Sequence, residues 1–129
     1  MDDQIIKKHG LPISGDQEFP PKITKAMGEA NVSYNMKTKV LSYTLTWNNL
    51  TGAPTGAHIH GPAARGSNAG IKHDFFSSFP KTVNGTHSGT VVVDGVALVE
   101  ESLLMGLYYF NIHTPTNPGG EIRGQIEFD

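Results

Sequence analysis

The stretch Val40-Leu-Ser-Tyr-Thr-Leu-Thr-Trp47 decides the fold class. Leu41, Tyr43, Leu45 and Trp47 alternate with Ser42, Thr44 and Thr46. A period of two sends successive side chains to opposite faces, so this segment is a strand with one apolar and one polar face. The segment before it alternates in the same way, with Ala30, Val32 and Tyr34 set against Glu29, Asn31 and Ser33. Asn35-Met-Lys-Thr-Lys39 between them reads as a hairpin connection.

The pattern repeats toward the C-terminus. In Leu107-Tyr-Tyr-Phe-Asn-Ile-His113, Tyr108, Phe110 and Ile112 share one face, and Tyr109, Asn111 and His113 share the other. Thr114 to Gly120 holds two prolines and two glycines and reads as a loop. Beyond it Ile122, Ile126 and Phe128 point inward, while Glu121, Arg123, Gln125 and Glu127 point outward to complete a hairpin. Thr86 to Val93 is a further strand, followed by the Asp94-Gly95 turn. Val96 to Met105 does not alternate and ends at Gly106, which predicts a short helix with a glycine cap and with Glu100 and Glu101 solvated. Ile5 to Ile13 reads as an extra or edge strand, because proline cannot donate to a ladder and Pro12 sits within it. The sum is an all-β fold: an antiparallel Greek-key β-sandwich or barrel of seven or eight strands with one short helix.

Composition narrows the chemistry. The chain has 129 residues, a length for one domain, with a net charge of -2, six histidines and no cysteine. The absence of cysteine removes disulfides, zinc fingers, iron–sulfur clusters and thiol nucleophiles together. The charge balance carries no electrostatic footprint for nucleic acid. No apolar run approaches the roughly 20 residues of a membrane-spanning helix. The polar start Met1-Asp2-Asp3-Gln4 does not read as a signal peptide. Nucleophile-elbow, P-loop and dinucleotide motifs are all missing.

The most informative peptide is Thr55-Gly-Ala-His58-Ile-His60-Gly-Pro62. Residues two apart on a strand share a face, so His58 and His60 present two imidazoles side by side while Ala57 and Ile59 enter the core. His113 lies on a polar face, also at a strand end beside a Pro/Gly loop. If those ends coincide, three imidazoles converge, and a three-histidine set leaves a coordination position for water or a small ligand. Imidazole without carboxylate or thiolate suits copper first, with zinc as the alternative. Glu121 and Arg123 face the same side as His113 and are the expected outer partners, a carboxylate there accepting the second ring N–H. The bland alternative is a solvated polar face with ordinary cross-strand pairs. His9, His73 and His87 read as surface residues, and Met27, Met36 and Met105 as fillers rather than thioether ligands.

Three separated motifs, in order, make the chain resemble the CHRD domain family from roughly Leu11 to Phe128. They are Ser14-Gly-Asp-Gln-Glu18-Phe-Pro-Pro21 with Ala26-Met-Gly-Glu-Ala30; Leu50-Thr-Gly-Ala-Pro-Thr-Gly-Ala-His58-Ile-His60-Gly-Pro-Ala63 with Asn68-Ala-Gly-Ile71; and Gly106-Leu-Tyr-Tyr-Phe-Asn111-Ile-His113 with Asn117-Pro-Gly-Gly-Glu121-Ile-Arg-Gly-Gln125. The resemblance implies residues 1–10 as an N-terminal extension or edge strand and 11–129 as a single CHRD-like β-sandwich domain. It also implies an extracytoplasmic protein, secreted or periplasmic, whose leader is absent from this chain. The His-X-His strand is similar, more loosely, to the copper-ligand strand of copper–zinc superoxide dismutases, whose other ligand motifs and disulfide are missing here. Together these readings predict an extracytoplasmic copper-binding protein, a monomer or weak dimer, that binds, stores or delivers the ion. The alternatives are a copper-dependent redox enzyme of superoxide-dismutase type and a metal-free protein-interaction module with structural histidines.

Overall fold

The computed structural model describes residues 4–128. Eight strands form one antiparallel sheet: β1 (Ile5–Ser14), β2 (Met27–Asn35), β3 (Val40–Asn48), β4 (Gly56–His60), β5 (Ile71–Asp74), β6 (Gly85–Val92), β7 (Tyr109–His113) and β8 (Ile122–Gln125). One short helix, α1 (Glu100–Leu104), precedes β7. The order β5-β4-β7-β8-β1-β2-β3-β6 curls into a nearly closed barrel, as the alternation predicts. Phe75, just after β5, draws the two free edges together by stacking on His87 of β6 at 5.5 Å and by a tilted contact with Tyr43 of β3 at 5.2 Å.

The β2–β3 hairpin is paired in unbroken register from Met27↔Asn48 to Asn35↔Val40. Asn35 makes its turn: its side-chain oxygen accepts the amides of Lys37 and Thr38, and Lys39 closes the turn at φ +63°. The apolar faces meet inside the barrel, where Leu41, Leu45, Trp47, Ile59, Phe110, Ile112 and Ile122 are fully buried. Polar tips of core aromatics reach partners at the rim. The Trp47 indole N–H donates to the Thr82 carbonyl at 2.9 Å, and the Tyr34 hydroxyl donates to Glu100 at 2.6 Å.

Three expectations change. The helix is shorter than Val96 to Met105, because the Asp94 carboxylate accepts the amides of Val96 and Ala97 and holds that stretch as a turn. Gly106 closes it at φ +76°. Glu100 is not simply solvated but also pairs with Lys39 at 2.8 Å. Finally, β1 is not an edge strand, since it lies between β2 and β8. Its first half is flanked by β2 alone, and it meets β8 in register only at Ser14↔Arg123. At Pro12, where no N–H is on offer, the Gln17 side chain stands in for a peptide. Its amide donates to Pro12 O at 2.8 Å and its oxygen accepts the Gln125 N–H at 3.0 Å.

Candidate metal centre

Strand pairing assembles the site. In the β4–β7 ladder Gly56 opposes His113, His58 opposes Asn111 and His60 opposes Tyr109. Ala57 and Ile59 enter the core, so His58 and His60 stand together on the opposite face. Gly56 leaves the room their neighbour needs. A Cβ there would lie 3.0 Å from His58 Cε1 and 3.3 Å from His113 Cδ2, closer than side chains ordinarily approach. The three rings have centroids 4.8 to 5.8 Å apart. One ligating nitrogen from each lies within 4.8 Å of the others.

Backbone carbonyls set the tautomers. His60 Nδ1 is 2.9 Å from Ala69 O, and His113 Nδ1 is 2.9 Å from Pro118 O. A carbonyl only accepts, so both Nδ1 atoms carry protons and both Nε2 atoms present lone pairs. The His60 Nε2 is buried and has no partner among the described residues. His58 turns the other way. Its Nδ1 lies 3.1 Å from His113 Nε2, and its Nε2 faces Asp74 Oδ2 at 3.7 Å.

The imidazoles are held neutral. Burial lowers the pKa of His58 to about 4, with the neighbouring His113 adding to the shift and Asp74 opposing it. Burial likewise pushes His60 and His113 below the usual imidazole range. A metal requires deprotonated ligands, and these need lose no proton near neutral pH. The set can hold an ion through three nitrogens, with no carboxylate among them.

The expected outer partners lie elsewhere. Glu121 is fully buried but bonds Thr24, Thr51, Thr114 and Asn117 rather than a histidine. The ring N–H of His113 goes instead to Pro118 O, on a loop that Glu121 holds in place through Thr114 and Asn117. Arg123 reaches the site through Tyr109: its guanidinium carbon is 3.6 Å over the Tyr109 ring, which stacks on His60 at 5.2 Å. Nor do Glu121, Arg123 and Gln125 face solvent. They are 0%, 0% and 1% exposed, covered by the loops at 61–70 and 114–120 and by the segment that follows β1. The covering backbone supplies the acceptors that make burial tolerable: Arg123 donates to Ser67 O and Ala64 O, and Gln125 to Ala63 O.

His9 is exposed, as expected, whereas His73 and His87 are half-buried around Phe75. Met27 and Met105 are exposed and Met36 packs against the core. Sequence reasoning missed Asp74 and Tyr109. Asp74 meets His58 only through the β4–β5 register, which no local pattern encodes. Tyr109 lies on the face the alternation predicts, and its role between His60 and Arg123 comes from the neighbouring strands. Its signal was there, two residues before Asn111 on the face that also carries His113.

The family model of the CHRD domain matches residues 11–126, nearly the whole chain. No curated protein and no solved structure matches. The match takes in the strand that carries His58 and His60, the strand that carries His113, and the loops that supply their carbonyl partners; the chain belongs to the CHRD domain family.

Proposed function

We propose that the protein binds a metal ion, copper before zinc, through His58, His60 and His113, and handles that ion outside the cytoplasm by binding, storing or delivering it. The observation that carries this reading is the buried, unpartnered His60 Nε2, aimed at the cluster by a ring whose other nitrogen is committed to Ala69 O. A buried acceptor without a donor is unfavourable by roughly 1–3 kcal/mol, and a bound cation relieves it. Copper leads because three neutral imidazoles suit it and because divalent affinity peaks at copper in the first transition row. The extracytoplasmic location is supported by the family, whose domains are usually extracellular.

Titration of metal-free protein with Cu(II) and with Zn(II) tests the reading. Wild-type protein should bind one equivalent. His60→Ala and His113→Ala should each weaken binding by more than about 100-fold, beyond the 10–100-fold typical of residues that only orient a ligand. Unchanged affinity in both variants overturns the site. One observation favours a second reading. The 3.1 Å contact between His58 Nδ1 and His113 Nε2 is an acceptable hydrogen bond, as in a purely structural histidine cluster. In that case the same variants lose stability and the wild-type protein binds no metal.

A further inference from the structure

The layer around the histidines contains a charge with no anionic hydrogen-bond partner among the described residues. Arg123 is fully buried, and its guanidinium donates to neutral acceptors: Ser67 O at 2.8 Å, Gln125 Oε1 at 3.0 Å, Ala64 O at 3.1 Å and Asn68 Oδ1 at 3.3 Å. Its Nε has no partner among the described residues. Burying a cation is costly unless a matched anion offsets it. Stapling a loop does not require one. The neutral amide of Gln125 staples the same region, donating to Ala63 O and Gly106 O at 2.8 Å each. Over an amide a guanidinium adds further N–H donors and, unlike any neutral group, the field of a full charge.

That field is aimed at the site. Strand β7 lies between β8 and β4, so Tyr109 stands between Arg123 and His60. The guanidinium lies over the Tyr109 ring, and that ring is parallel to the His60 imidazole within 7°. Tyr109 and His60 also converge on Ala69: the Tyr109 hydroxyl accepts the Ala69 N–H at 3.0 Å, and His60 donates to the Ala69 carbonyl. Arg123 therefore fixes residues 64–68 immediately before the carbonyl that sets the His60 tautomer.

We propose that Arg123 is a positioning residue that sets the oxidation-state preference of the site: its buried charge, held against His60 through Tyr109, disfavours Cu(II) relative to Cu(I). The inference rests on the copper reading above. The sign follows from Coulomb's law, since a fixed positive charge repels a doubly charged ion twice as strongly as a singly charged one. Over a distance on the order of 10 Å, at an effective dielectric between about 20 and 80, the difference is about two- to 17-fold in relative affinity. Glu18 opposes the effect. Its buried carboxylate accepts from Asn111 Nδ2 at 2.5 Å and, after burial and Tyr109, its charge is among those that act on Arg123.

The test measures Cu(I) affinity under anaerobic conditions and Cu(II) affinity by chelator competition, at pH 8, in wild-type protein, Arg123→Gln, Arg123→Lys and Glu18→Gln. Arg123→Gln should raise the ratio of Cu(II) to Cu(I) affinity about two- to 17-fold, which lowers the reduction potential by about 59 mV for each tenfold. Glu18→Gln should move the ratio the opposite way. Arg123→Lys keeps the charge and should stay within about twofold of wild type, on the same Coulomb argument. A structural role for Arg123 would weaken both ions together and leave the ratio unmoved. If Arg123→Gln does not fold, Glu18→Gln decides alone: a shift toward Cu(I) supports the inference, and no shift overturns it. A lysine variant that matches glutamine rather than wild type also overturns it. Wild-type protein that binds neither ion overturns the copper reading and this inference with it. Wild-type binding with an unmoved ratio in the variants overturns this inference alone.

Discussion

Strands β3 and β8 carry the same alternation and meet opposite fates. The outward residues of β3, Ser42, Thr44 and Thr46, lie on an uncovered face, and their hydroxyls bond sideways, Thr44 to Ser88 at 2.8 Å and Thr46 to Thr86 at 3.3 Å. The corresponding residues of β8 and its lead-in, Glu121, Arg123 and Gln125, are shut away under loops. A period of two therefore assigns faces but says nothing about what lies on them. The barrel has an apolar core inside and, over β4, β7 and β8, a second, polar core outside. The candidate metal centre belongs to that second core.

Substitutions in the two layers should separate them. The largest effect is expected from Glu121→Ala. Four side chains from three separate parts of the chain bond this one carboxylate, so removal should cost about 3–5 kcal/mol, as for other broken buried charge networks. Urea denaturation measures it; a loss below about 1 kcal/mol would mean the layer behaves as a surface. Next is a pH effect at Glu18. Burial raises its pKa from 4.5 to about 7, so the folded state holds the proton more tightly than the unfolded one. Its favourable contribution is full below about pH 4.5 and is lost as pH rises through 7, by up to about 3 kcal/mol. Glu18→Gln should flatten that part of the stability–pH curve and stabilise the protein at pH 8; an unaltered curve would show that the carboxylate is not desolvated.

Smaller effects sharpen the contrast. Gly56→Ala should cost about 1 kcal/mol through crowding, in the range of overpacked sites. It should also weaken metal binding by roughly tenfold, comparable to losing a group that orients a ligand. Thermal unfolding without and with metal checks both, and intact affinity would mean that the rings need no such clearance. Thr46→Ala, exposed on the outer face of β3, should change stability by less than about 0.5 kcal/mol despite its hydrogen bond, as exposed positions usually do.

Much was legible from local pattern. Leu41, Tyr43, Leu45 and Trp47 announce their strand because a period of two has one physical explanation, and His58 and His60 share a face for the same reason. The convergence of His113 with them was conditional on two strand ends meeting, and the β4–β7 register supplies that meeting. The interior position of β1 could not be read, because Gln17 replaces the peptide partner that Pro12 lacks and such a substitution leaves no periodic trace. The outer partners were misassigned for a related reason. A carboxylate is the obvious acceptor for a ring N–H, yet the carbonyls of Ala69 and Pro118 do that work, and every residue has a carbonyl.

Side-chain periodicity and residue chemistry, both local properties, were enough to determine an all-β architecture, the absence of thiol chemistry and the three imidazoles. Which loops cover the polar face, which nitrogen of each ring points inward and which buried cation stands behind His60 were decided by the tertiary structure alone. Those depend on strand order and loop path, where residues tens of positions apart become neighbours and a buried polar group must find its partner wherever the fold happens to bring one.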